Sequence, residues 1–223
     1  MSKAMFRNIF VASLALVMSS TCVKAASFDV SNLTETVQGT ETIPGNNIVK
    51  RIATSFSTGS FTGTADIDLV QLYLASFGTY NLANLSVSIF TDNSNVPGTS
   101  VGTLTSTGTL TGNGVVDFRN VASPVALQPN TNYWVVVKNA VVGTGSNNIQ
   151  WAYGYPTGPT PGLNGTIADK SSLNNTGASW NTTVGTAYLA RVTNVPEPST
   201  YALGAISALT MGYIARRRNA AKA

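Results

Sequence analysis

The chain has 223 residues, no histidine, one cysteine and a formal net charge of +4. Without histidine it lacks the commonest general base and metal ligand, and with no cysteine outside its first 25 residues both the Ser–His and the Cys–His nucleophile pairs are excluded from the body. The positive charge sits at the ends: from Ala26 to Val195 there are six basic and eight acidic residues, a net −2, which leaves no clustered cations for nucleic acid.

The first element in chain order is a removable signal helix. Lys3 and Arg7 form a positive start, Ile9 to Met18 is a ten-residue apolar run, and Val23-Lys24-Ala25 places small residues at the −3 and −1 positions. This pattern predicts a secretory signal peptide over Met1–Ala25, handled by the secretion translocon and cleaved after Ala25. Ser19-Ser20-Thr21 before Cys22 makes a poor lipidation site. Cleavage removes that cysteine, so the body can hold no disulfide and no thiolate metal site.

From Ala26 to Asn194 the chain is rich in Gly, Thr, Asn and Ser, which disfavours long helices. Short apolar runs between turn signals predict strands near Ile48–Ser57, Ile67–Phe77, Leu85–Thr91, Val101–Thr105, Gly114–Arg119, Asn132–Asn139, Asn148–Tyr155 and Thr186–Thr193. Leu85-Ser86-Val87-Ser88-Ile89 alternates, so one face is buried and the other wet. Asn93 to Gly98 reads as a turn, and Tyr133-Trp134-Val135-Val136-Val137 as the centre of the core. The expected fold class is all-β: one two-sheet sandwich, jelly-roll-like.

"LSVSIFTDNSNVPG", "LQPNTNYWVVV" and "IQWAYGY", after an early Phe-Ser-Thr-Gly, resemble the bacterial extracytoplasmic domains called choice-of-anchor, type R above all, over Ala53 to Val192. That resemblance implies architecture and location. It implies no catalytic residue.

Three patterns could carry chemistry. Asp66 and Asp68 share a strand face, and with Asp117 they are the carboxylates a glycan hydrolase would need; the plainer reading is ordinary strand-end charges. Asp92-Asn93-Ser94-Asn95 is oxygen-rich like a calcium loop but lacks a second carboxylate and a closing Glu, so no metal and no cofactor is expected. Trp151, Tyr153 and Tyr155 alternate along one strand, so their rings share a face. That face either stacks on sugars, making a carbohydrate-binding module, or packs into the core. The stretch from Pro156 to Asn181 reads as a long functional or mobile loop.

The last element, Val195–Ala223, begins with Pro196-Glu197-Pro198, continues as an uncharged 15-residue run from Tyr201 to Ala215, and ends on Arg216, Arg217 and Arg218. As a helix the run would reach about 22 Å, short of a hydrocarbon core of about 30 Å but able to sit across it with local thinning. The arginines act as a stop-transfer group and stay inside, with the body outside. This three-part order resembles the PEP-CTERM sorting signal of Gram-negative bacteria. The resemblance implies an exosortase-type processing enzyme as partner, acting near Pro196-Glu197-Pro198, and a transient inner-membrane anchor that is later removed. The expectation is a non-enzymatic, exported envelope or extracellular-matrix protein with a structural or adhesive role in exopolysaccharide or biofilm.

Overall fold

A computed structural model describes residues 28–43, 51–120, 123–139, 149–155, 166–173 and 179–194. The predicted signal helix and the Pro-Glu-Pro tail both lie outside the described residues. Among those described, no helix is long and apolar enough to cross a membrane.

The described chain is all-β, as its composition requires. The strands are β1 (Asp29–Ser31), β2 (Gly39–Ile43), β3 (Arg51–Ser57), β4 (Ala65–Ile67), β5 (Leu69–Asn81), β6 (Leu85–Asp92), β7 (Pro97–Leu104), β8 (Thr109–Arg119), β9 (Val125–Leu127), β10 (Asn132–Asn139), β11 (Ile149–Gly154), β12 (Thr166–Leu173), β13 (Trp180–Thr183), β14 (Ala187–Tyr188) and β15 (Ala190–Thr193). All eight expected strands have a counterpart here: Asn132–Asn139 keeps both ends, the others shift at one end or both, and Thr186–Thr193 is divided into β14 and β15. The stretch from Pro156 to Asn181, expected to be a loop, contains β12 and the start of β13. The Asn93–Gly98 turn is tighter than expected, because Pro97 and Gly98 already belong to β7.

Every pairing is antiparallel. One sheet has seven strands, with β5 flanked by β8 on one side and by β15 and β11 on the other. The second runs β13-β12-β3-β10-β6-β7, and β4 pairs with β9 in a small third sheet. The pairs β6·β7, β5·β8, β4·β9, β3·β10 and β2·β11 are nested, each enclosing the one before.

Alternation puts one face of each large sheet inward. Ile52 and Phe56 of β3, Val87 and Ile89 of β6, and Val135 and Val137 of β10 join Val70, Leu72 and Leu74 of β5 and Trp151 of β11 in a single buried cluster. Phe28, ahead of β1, meets Phe56 of the other sheet at 6.3 Å between ring centroids. This shared core makes the body sandwich-like. At one corner the sheets are joined by backbone bonds, Thr105 N–H to Arg119 O at 3.1 Å and Arg119 N–H to Thr105 O at 2.8 Å.

β14 and β15 are one strand interrupted at Leu189, which sits where β5 and β11 diverge. The Leu189 N–H bonds Ala152 O on β11 at 2.9 Å, and its carbonyl accepts from Tyr73 of β5 at 3.1 Å. Buried Asn32 clamps the break: Nδ2 donates to Tyr188 O at 3.1 Å and Oδ1 accepts from Ala190 N at 2.7 Å. A buried amide satisfied on both ends holds a kink that backbone pairing alone would leave open.

Candidate functional site

The aromatic row of β11 faces the core. Trp151 is 0% exposed. Its ring stacks on Tyr188 at 4.6 Å and 17°, and its Nε1 donates to Leu189 O at 2.9 Å. Tyr153 is partly buried against the same cluster, edge-on to Tyr188 at 6.3 Å. Tyr155, 59% exposed just past the end of β11, is the most exposed of the three. Period-two spacing puts Trp151 and Tyr153 on one face of β11, and that face packs toward the core and buries Trp151; Tyr155 lies past the end of the strand.

The three carboxylates lie on different segments. Asp66 lies on β4 in the small sheet, Asp68 follows it as a buried residue, and Asp117 lies on β8. Asp117 accepts from Gln71 Nε2 at 2.8 Å and pairs with Arg119 at 2.9 Å. Burial raises its pKa, but the bonds from Gln71 and Arg119 and the Arg119 charge outweigh burial and lower it. A carboxylate held ionised in this way is poorly suited to act as the general acid of a hydrolase.

In the oxygen-rich Asp92–Asn95 turn, both oxygens of Asp92 have work inside the protein. Oδ1 accepts from Trp134 Nε1 at 2.7 Å, and Oδ2 accepts from the Asn95 N–H at 3.3 Å. Ser94 and Asn95 have φ of 56° and 68°, and the Asn93 N–H closes on Val96 O at 2.8 Å. These are the marks of a two-residue primed hairpin turn. The Asx residues are there for backbone reasons. Among the described residues, no three His, Cys, Asp or Glu side chains gather as a metal site would require.

A feature not anticipated from the sequence lies on the outer face of the six-stranded sheet. On β10, Tyr133, Val135 and Val137 point into the main core, so Trp134 and Val136 point out. They form a second buried cluster with Ala53 of β3, and Phe90 of β6 and Trp180 of β13 pack against it. Trp134 is 1% exposed despite facing away from the core. Trp180 of β13 is part of its cover. The β12–β3 register shifts between Ile167 and Lys170, and Thr182 Oγ1 of β13 donates to Asn95 O in the β6–β7 turn at 3.2 Å. That bond joins strands four places apart in the sheet, so the β12–β13 ribbon must fold back over the face.

Beside this cover is a cleft of about 90 Å³, lined by Ser55, Phe56, Ser57, Asp92, Asn95, Asn132, Trp134 and Thr166. Ser57 and Thr166 hydroxyls meet across it at 3.0 Å. Asn95 and Asn132 are exposed at its rim. The one sequence signal for this site was Trp134 beside the Val135-Val136-Val137 run, with Asp92 two residues past Phe90.

Neither protein-family models nor curated proteins give a match to this chain.

Proposed function

We propose that this protein is exported, held briefly at the inner membrane by its tail, processed there by an exosortase-type enzyme, and delivered to the cell surface or extracellular matrix. Its role is structural or adhesive rather than enzymatic. The observation that carries this reading is the order Pro196-Glu197-Pro198, an uncharged run, then Arg216, Arg217 and Arg218. Each part has a separate physical job: prolines stop the helix from extending toward the body, the apolar run enters lipid, and the arginines resist passage.

The layout of the body is consistent with that reading. The Asn194 N–H bonds Phe28 O at 3.1 Å, Phe28 N–H bonds Asn194 Oδ1 at 2.8 Å, and Thr193 Oγ1 bonds Phe28 O at 2.9 Å. The body thus secures its last strand just before Val195, and secures it to the residue three positions past the expected signal cleavage point. The nested strand pairs support a jelly-roll reading of the sandwich, since such a fold is a long hairpin rolled upon itself.

The test is processing in the native host of a C-terminally tagged chain. Glu197→Ala leaves a tagged precursor in the inner membrane with its body periplasmic. Replacing Arg216, Arg217 and Arg218 by Ser weakens the stop, and some chains pass through unprocessed. Trimming and delivery of both variants like the wild type would contradict the proposal.

A further inference from the structure

We infer that Arg51 and Lys138 form a recognition site for the carboxylates of an acidic polysaccharide, a polymer of uronic acids. The matrix role proposed above supplies the presence of such a polymer, while the site itself rests on geometry and charge.

Strand register brings the two cations together. Arg51 opens β3 and Lys138 stands near the end of β10, directly opposite it. Their chain neighbours Ile52 and Val137 point into the core, so both cations stand on the outer face of the six-stranded sheet. Side chains opposed in this way have Cβ atoms about 5 Å apart, and like charges so placed repel. Ser86 of β6, opposite Lys138 on its other side, continues the row with a hydroxyl. Lys138 is exposed and Arg51 half-buried. Among the described residues neither cationic side chain has a hydrogen bond or an ion pair, and Arg51 Nε is buried with no partner.

The chain has little with which to neutralise the pair. Of its nine acidic residues, all but Asp169 and Glu197 have described side chains, and none of those pairs with Arg51 or Lys138. Asp169 lies on β12 three residues before Ser172, the partner of Ile52, so its backbone is about 10 Å along the strand from that level. Glu197 belongs to the tail that processing would remove. A third cation, Lys50, precedes Arg51 in the chain. A body with six basic residues between Ala26 and Val195 has thus set two of them side by side without a counter-charge.

Chemistry and position then select the ligand. A guanidinium takes a carboxylate through two parallel bonds, and an ammonium adds a point charge. Two cations are too few to follow the phosphate run of a nucleic acid. Phe28 bonds Asn194, next to the start of the tail, and meets Phe56 of β3. Arg51 is five residues from Phe56 along β3, about 16 Å. The pair therefore stands away from the point where the tail begins, and so from the lipid that would hold that tail. An acidic polysaccharide repeats its carboxylate, so a site of modest strength gains by repetition along the polymer.

The experiment uses the full chain purified in a neutral detergent. Calorimetry follows titration with tetramers of galacturonate, glucuronate and mannuronate, with neutral galactotetraose, and with inorganic phosphate. At least one uronate tetramer is expected to bind saturably, and more weakly as salt rises from about 0.05 to about 0.5 M, because salt screens exposed charge. Galactotetraose and phosphate are expected to bind more weakly or not at all. Lys138→Gln, an exposed change, should weaken uronate binding about tenfold without lowering Tm, and Arg51→Gln at least as much. Lys138→Glu should abolish binding and raise Tm, since it sets an opposite charge across from Arg51. Failure of all three uronates, equal binding of galactotetraose, tighter binding of phosphate, or binding unchanged in both Lys138→Gln and Arg51→Gln would overturn the inference. So would a Tm lowered by Lys138→Glu, which would mean that the pair is already neutralised. The readout is independent of tail processing: Glu197→Ala should bind uronate like the wild type even if sorting fails, and a uronate-blind protein could still be sorted.

Discussion

Trp151 and Trp134 spend their indole N–H groups differently, and the difference separates core from cleft. Trp151 donates to a buried carbonyl, Leu189 O, at the break between β14 and β15. Trp151→Phe leaves that acceptor without this bond and loosens the stack on Tyr188, so it should cost about 1–3 kcal/mol in chemical denaturation. Trp134 donates to Asp92, at the cleft. Tyrosines set the response to base. Burial pushes the Tyr80 phenol up to about 12, with its hydroxyl bonded to Asn139 Oδ1 at 2.8 Å. Tyr188 is raised further, by burial first and then by the charge of Glu41, to which its hydroxyl bonds. Below about pH 10 both folded and unfolded chains keep these protons, and the stability they support is intact. Above it the unfolded chain ionises first, so stability should fall by about 1.4 kcal/mol per pH unit for each tyrosine. Urea titrations from pH 9 to 12 measure that slope, and Tyr80→Phe should make it shallower.

At the scale of elements, turns and close contacts decide register. Ser94 sits at φ 56° in the β6–β7 turn. Asn tolerates that region better, and a β-branched residue tolerates it badly. Ser94→Asn should therefore gain about 0.5 kcal/mol and Ser94→Val should lose about 1–2 kcal/mol, read from melting curves. Gly102 of β7 lies under β9, where an added Cβ would come within 2.3 Å of Val125 Cγ2. Gly102→Ala should cost about 1–3 kcal/mol by overpacking, and adding Val125→Ala should return part of it. The same scale shows what could be read in advance. Val87 and Ile89 alternate with serines, and β6 was legible from that alone. β4 and β9 have three residues each, too few for a period to show, and β12 (TIADKSSL) lacks the apolar alternation that marks a half-buried strand. Trp151 was rightly placed on one face with Tyr153, but period two does not say which face is inside. Trp134 was rightly read as buried; its outward direction depends on a ribbon about fifty residues later in the chain.

At the scale of the molecule, both ends of the body meet at one place, where Phe28 and Asn194 exchange backbone and side-chain bonds. Asp29 and Arg191 reinforce that junction with two bonds of 2.7 and 2.5 Å. The last described strand ends at Thr193, so Ala26–Asn194 expressed alone should melt cooperatively, and reductant should not shift its Tm because it holds no cysteine. A non-cooperative melt would mean that the tail contributes to the fold. The central claim is that the tail is an address that is later removed. Its most direct measurement is the intact mass of the protein recovered from the surface or matrix of its native host. The account predicts a chain that begins at Ala26 and ends near Pro196-Glu197-Pro198, without the arginines. Recovery of a surface form that still ends at Ala223 would contradict it.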